Sequence, residues 1–226
     1  MIVVRKNKPK MNHFQLLRLL MIQNQLRPIG IVNEKLLEAF QKTPRELYVF
    51  KNFEHLAYHD QLIPLSKSRF LLPASTIAKL INFIDFNFVQ KAVVVGCGLG
   101  YTVQLLKFLR VDVMGIDRPF FINEAIKRNP KLTTSLKSGS LFLDDQNLET
   151  FDLIFIEGGI ETIPISLINK ININGYLCAL IFKEKNMPFQ ASVFIKEADN
   201  TLKPIYVFDS IGKLFLEFSN SKTFEF

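Results

Sequence analysis

The sequence has no tryptophan, two cysteines and three histidines among 226 residues. Two thiols do not make a disulfide framework. Cys97 sits among glycines and Cys178 in an apolar run, and buried thiols of this kind suit a reducing compartment. His55 and His59 stand four apart beside Asp60, but no third ligand accompanies them, so no metal site is expected. No apolar run approaches bilayer-spanning length, and Ile2-Val3-Val4 is too short for the core of a signal peptide. The expected location is the cytoplasm, with no membrane partner. Acidic residues number 21 against 28 lysines and arginines, a net charge of +7. Most of that charge reads as solvated surface. The densest basic run, Arg5 to Lys10, reads as a frayed tail; Met11 follows it, which marks residues 1–10 as a candidate start-site extension.

What is present centres on Lys91-Ala-Val-Val-Val-Gly-Cys-Gly-Leu-Gly-Tyr101. A β-branched run breaks into glycines at alternate positions, and an apolar helical stretch follows. A buried parallel strand reads as such a run. Glycines at its end permit a tight turn and let backbone approach a ligand, and the N–H groups of the next helix face that ligand. The dinucleotide fingerprint needs glycine at 101, where Tyr101 stands, and no Gly-Lys-Ser/Thr follows, which excludes a P-loop. Asp117 ends the next apolar stretch, Val111–Ile116, where an acid accepts from a ribose diol; its alternative role is to cap the helix after it. Loop and acid together are fairly specific for an S-adenosylmethionine site.

The first ninety residues read as helices and loops. Phe14, Leu17, Leu20 and Met21 are spaced for a helix over 14–26, stopped by Arg27-Pro28-Ile29-Gly30. Asn33 is the expected cap of a second helix. Thr43-Pro44-Arg45-Glu46 opens a third, with Thr43 as cap and Glu46 closing a capping box. Ser66–Arg69 is a loop, and Pro73 precedes a helix through Ile77 and Ile81. From Lys91 strands and helices alternate: strands at 92–95, 111–116, 132–137 (weak), 151–156 and 176–182, then a hairpin at 192–197 and 204–208. Such alternation predicts an α/β fold with a doubly wound, mainly parallel sheet. The expected organisation is one domain, with residues 1–90 a helical and loop region and 91–226 a Rossmann-like cofactor-binding core.

The chain resembles the protein-L-isoaspartate O-methyltransferases, a class I S-adenosylmethionine-dependent family, as a divergent member. The resemblance rests on Gln25-Leu-Arg-Pro-Ile-Gly-Ile31, Thr43-Pro-Arg-Glu-Leu-Tyr-Val-Phe50, Ala57-Tyr-His-Asp60, Leu62-Ile-Pro-Leu65, the glycine loop, Gly115-Ile-Asp117, Phe151-Asp-Leu-Ile154 and Asn174-Gly175. It implies a seven-stranded methyltransferase sheet, S-adenosylmethionine as cofactor, and methylation of isoaspartyl carboxylates in damaged proteins. It also implies cofactor contacts at Gly96, Cys97, Gly98, Gly100, Tyr101, Asp117, Ser140 and Leu141. Candidate substrate-side residues are Asp60 and Glu157. Three positions depart from the family: Leu71 stands where a substrate-facing serine is expected, and Val94 and Ser140 stand where acids are expected. The alternative implied is a methyltransferase fold that has lost the reaction and acts by binding, or one that methylates another acceptor. The Asn/Asp-Pro-Pro-aromatic box of amino-methylating enzymes is replaced by Glu157-Gly158-Gly159, so no nucleic-acid partner is expected. The expected partner is a protein or peptide bearing isoaspartate, and the expected state a monomer.

Overall fold

A computed structural model describes residues 12–218; the basic run Arg5 to Lys10 lies outside the described residues. Helix α1 spans His13–Met21. The Asn12 side chain accepts from the Gln15 amide, and the Gln15 side chain accepts from the Asn12 amide, a capping box that fixes the helix start. The expected helix over 14–26 loosens after Met21 into a π turn, Ile22–Leu26, then a 3-10 turn, Arg27–Ile29. Asn33 caps α2, Glu34–Lys42, through the Leu36 amide. The third expected helix needs correction. Arg45–Tyr48 is one 3-10 turn with Pro44 at its cap position and no side-chain cap. Glu46 is drawn away to Arg18 and to the Tyr58 hydroxyl, so it closes no box. Nor is the first part of the chain free of strand: β1, Ile63–Pro64, pairs antiparallel with β2, Phe70–Leu71, around the Leu65–Arg69 loop. Helix α3, Ala74–Asn82, follows.

The alternating part comprises β3 (Lys91–Val95), α4 (Tyr101–Phe108), β4 (Asp112–Asp117), α5 (Pro119–Arg128), β5 (Leu136–Ser138), β6 (Phe151–Ile160), α6 (Ile165–Asn169), β7 (Ile171–Ile181), β8 (Phe189–Lys196) and β9 (Leu202–Ser210). The sheet order is β5-β4-β3-β6-β7-β8-β9, parallel through β7 and antiparallel beyond. Several expected boundaries move: β7 begins at Ile171 rather than 176, and β8 and β9 begin at Phe189 and Leu202 rather than 192 and 204. Residues 130–135 form a 3-10 turn started by Pro130, so β5 begins at Leu136 rather than 132. Strand β6 continues through Glu157-Gly158-Gly159 to Ile160 instead of ending at Ile156.

Alternate residues of a strand face opposite sides. Val94 therefore joins a core formed with the N-terminal helices and α4, while Val93 and Val95 join a second core with Ile116, Ile154 and Leu167. The order in which strands are added reverses at β3: the chain runs outward through β4 and β5, then returns to place β6 on the other side of β3. That is the switch point, outside whose carboxyl end ligands sit in open α/β sheets. No helix among the described residues is long and apolar enough to cross a membrane.

Candidate active site

The glycine loop occupies the switch point. Gly96 and Gly98 have φ of +71° and +53°, a left-handed backbone that residues with a Cβ rarely adopt. The turn aims the Gly98 N–H at Asp117 Oδ2, 2.9 Å away, and the Arg118 N–H donates to Oδ1 at 2.8 Å. Asp117 is 0% exposed. Loop and acid thus meet directly in the fold. The alternative role of Asp117 as helix cap is not taken: Arg118 holds the cap position of α5, with no side-chain cap.

The chain's own side chains fill the space these groups frame. Arg69, 1% exposed, directs Nε at both oxygens of Asp117, at 3.2 and 3.3 Å. Its two terminal nitrogens grip Glu217 at 2.7 and 3.2 Å, a bidentate pair. Arg118 adds a contact to Glu217 at 2.8 Å. Burial opposes ionisation of Glu217, but the bond from Arg69 holds its carboxyl below the usual range. The Arg69 guanidinium lies 4.2 Å from the Phe215 ring centre and 5.7 Å from that of Phe121, cation–π distances. The Phe215 ring lies on the faces of Gly96 and Gly158 that lack a Cβ, and Leu65 Cδ1 would come within 2.6 Å of a Cβ on Gly98.

On the β6 side, Glu157 is 2% exposed. Its Oε1 accepts from the Thr102 hydroxyl at 3.0 Å, and its Oε2 has no partner among the described residues. Desolvation pushes its carboxyl up to about 8, against the pull of Thr102 and Arg45 and with some push from Asp117. Arg45 acts on it through charge alone, its own bonds going from Nε to the Ala57 carbonyl at 2.7 Å and from Nη2 to the Leu72 carbonyl. Arg45 also caps the Tyr101 ring face at 4.8 Å. Burial pushes the Cys97 thiol well up, so it is no nucleophile at neutral pH.

The remaining expected site residues are dispersed. Tyr101 packs edge-on against Phe40 and Tyr48, in the core rather than in the groove. Gly100 opens α4 with φ +86°. Leu141 is buried in the second core, and Ser140 accepts from the Phe142 amide. Ser140 borders a cavity of about 150 Å³ lined also by Ile116, Gly139 and Leu143, below the ~300 Å³ of a small ligand cleft. A larger groove, about 710 Å³, lies at the amino ends of β3 and β4, around Lys91, Asp112 and Glu149, away from the switch point. Asp60 is exposed and accepts from the Ser75 amide at the start of α3, a cap's role. Leu71 is buried. No group of three metal-binding side chains occurs among the described residues.

Sequence reasoning passed over Arg69, Phe215, Glu217 and Arg45. Arg45 lies within a motif already quoted. Arg69 is legible as a charge two residues before Leu71, but its partners are 48 and 148 residues distant. As folded, the groove does not fit S-adenosylmethionine. The carboxylate expected to take ribose hydroxyls is saturated by a guanidinium and two amides, and an aromatic ring lies on the glycine ledge.

Residues 20–207 match the model of the family described as protein-L-isoaspartate(D-aspartate) O-methyltransferase. The chain is 29% identical over 171 residues to a protein-L-isoaspartate O-methyltransferase of Syntrophus aciditrophicus, covering 74% of this chain and 78% of the relative. It is also 29% identical over 167 residues to one of Flavobacterium psychrophilum, covering 69% and 77%. Among solved structures, it superposes on one described as such an enzyme from Plasmodium falciparum, in complex with S-adenosyl-L-homocysteine, with TM-score 0.68 and 17% identity over 90% of this chain and 98% of that one. A protein-L-isoaspartate O-methyltransferase gives TM-score 0.69 and 16% identity, over 91% and 67%. These structural likenesses carry the fold.

Proposed function

Because the chain belongs to the protein-L-isoaspartate(D-aspartate) O-methyltransferase family, we propose that its reaction centre lies at the carboxyl ends of β3, β4 and β6, under the 66–72 loop. The family uses S-adenosylmethionine, and methyl transfer to isoaspartyl carboxylates is the function that membership supports. The observation that carries the placement is the meeting of Gly98 and Asp117 within the matched residues.

An isoaspartyl carboxylate is ionised at neutral pH and is already a nucleophile. It needs position more than a base, and fixing two reactants together lowers a barrier by several kcal/mol, roughly 7–11 at best. This chain's residues supply position. Arg45 ties the Leu72 carbonyl of the substrate loop to the helix that follows the glycine turn. Glu157, neutral up to about pH 8, sets no second negative charge against an incoming carboxylate. Asp60 supports the start of α3 beside that loop. In this reading Gly96, Cys97, Gly98, Gly100, Tyr101, Ser140 and Leu141 serve through backbone or packing and Asp117 through its carboxylate. The chain acts as a monomer in the cytoplasm, the state checked by light scattering and the location by cell fractionation.

The test is incubation of the full chain with methyl-labelled S-adenosylmethionine and an isoaspartyl peptide. Base-labile label in the peptide is expected, and none in its aspartyl counterpart. Cofactor binding without any base-labile label would overturn the carboxyl-methylating reading. The filled groove, with Leu71 and Val94 in place of polar residues, favours a second reading, a methyltransferase fold kept for binding alone. Failure of both S-adenosylmethionine and S-adenosylhomocysteine to bind in calorimetry would select it.

A further inference from the structure

The crevice at the switch point is occupied by the end of the described chain. Strand β3 leaves β6 at the Val95–Ile156 pair. Beyond it, the Gly159 N–H donates to the Lys213 carbonyl, and the Gly159 carbonyl accepts from the Phe215 N–H, at 2.9 and 2.8 Å. Leu214 therefore forms a one-residue parallel bridge to Gly159, extending the sheet into the place where a ligand of this fold would sit. The next residues turn back over the glycines: Phe215 on Gly96 and Gly158, and Glu217 on Arg69.

Three features separate this segment from ordinary packing. It meets the glycine ledge and, through Arg69, the carboxylate, so both of the expected cofactor contacts have an internal substitute. It lies beyond residue 207, where the family match ends. Its backbone is tied to the sheet by a single bridge, whereas β8 and β9 share a ladder of eight pairs. Its side chains Phe215 and Phe218 join the second core, but a segment with so few backbone ties can open without unfolding the rest.

We infer that residues 213–218, with Arg69, are a built-in competitor for the cofactor groove. The chain rests closed, and a nucleoside cofactor enters only as Phe215 leaves Gly96 and Asp117 exchanges Arg69 for ribose hydroxyls. This rests on the methyltransferase reading above. Loss of Glu217 removes the bidentate anchor of Arg69 and loss of Phe215 removes the ring it lies on, so that Asp117 holds the guanidinium without the help of the segment. A closed state favoured ten to one lowers apparent affinity about elevenfold.

The chain has no tryptophan, so a Phe215→Trp variant reports the segment alone. The experiment titrates S-adenosylhomocysteine into wild type, Glu217→Gln and Phe215→Ala/Glu217→Gln by calorimetry, and into Phe215→Trp by fluorescence. Glu217→Gln keeps the ring and the shape, and so remains informative if the double variant folds poorly. Expected are affinities rising from wild type to Glu217→Gln to the double variant, at least tenfold overall, and a saturable red shift of the tryptophan emission. Equal affinities with unchanged emission at saturation would overturn the inference and leave the methyltransferase reading intact. No binding by any variant would overturn both.

Discussion

Asp117 and Glu157 are two buried carboxylates on the strands that flank the glycine loop, and they are supplied very differently. Asp117 receives two backbone amides and the Arg69 guanidinium. Glu157 receives one hydroxyl, from Thr102, and leaves one oxygen without a partner among the described residues. Removing a carboxylate from water disfavours its charge unless charge and donors are returned to it. At Asp117 they are returned in full. At Glu157 they are not, and the proton stays on to about pH 8. Equal burial therefore gives one residue ringed by donors and one that keeps its proton.

The harshest way to break the comparison is to withdraw the charge from Asp117. Arg69→Ala leaves the buried Asp117 carboxylate without its charged partner and is expected to cost about 3–5 kcal/mol in urea unfolding. Thr102→Val removes the donor that Glu157 has, and about 1–3 kcal/mol is expected to be lost. Its effect should be largest at high pH, where the carboxylate must ionise in place.

Glu157→Gln sharpens the contrast through pH. Folded, Glu157 keeps its proton to about 8; unfolded, it releases it near 4.5. Between these values the folded state binds the extra proton, so stability falls as pH rises through the window. Thermal unfolding from pH 5 to pH 9 is expected to show a decline in wild type that Glu157→Gln flattens, with the variant the more stable by about 1 kcal/mol or more at the alkaline end. An equally steep decline in the variant would show that another group carries it. The smallest effect belongs to an exposed carboxylate: Asp60→Ala, which removes a donor's partner at the start of α3, is expected to cost about 0.5–1 kcal/mol.

What the sequence made legible was local. Val93–Val95, three alternate glycines and an apolar helix follow one another without interruption and admit one reading; Asp117 lies within one strand of them, and the structure joins it to Gly98. Strand β6 misled because Gly158 and Gly159 look like a stop, yet they stay extended, with Phe215 and Phe189 seated where side chains would be. Glu46 misled because a capping box is a local pattern and Arg18, 28 residues away, competes for the same carboxylate. Closure of the groove was not legible. Arg69 and Glu217 are separated by 148 residues, and neither a Lys-Ser-Arg loop nor a Leu-Phe-Leu-Glu end carries a local signal that they meet.

The most direct test of the whole account is amide hydrogen exchange of Gly98, Gly159 and Phe215, resolved by NMR, without and with saturating S-adenosylhomocysteine. The account predicts protection at Phe215 in the free chain, through the Gly159 carbonyl, and its loss when the nucleoside binds, while the Gly98 amide stays protected in both states. Protection at Phe215 that persists at saturation would contradict it.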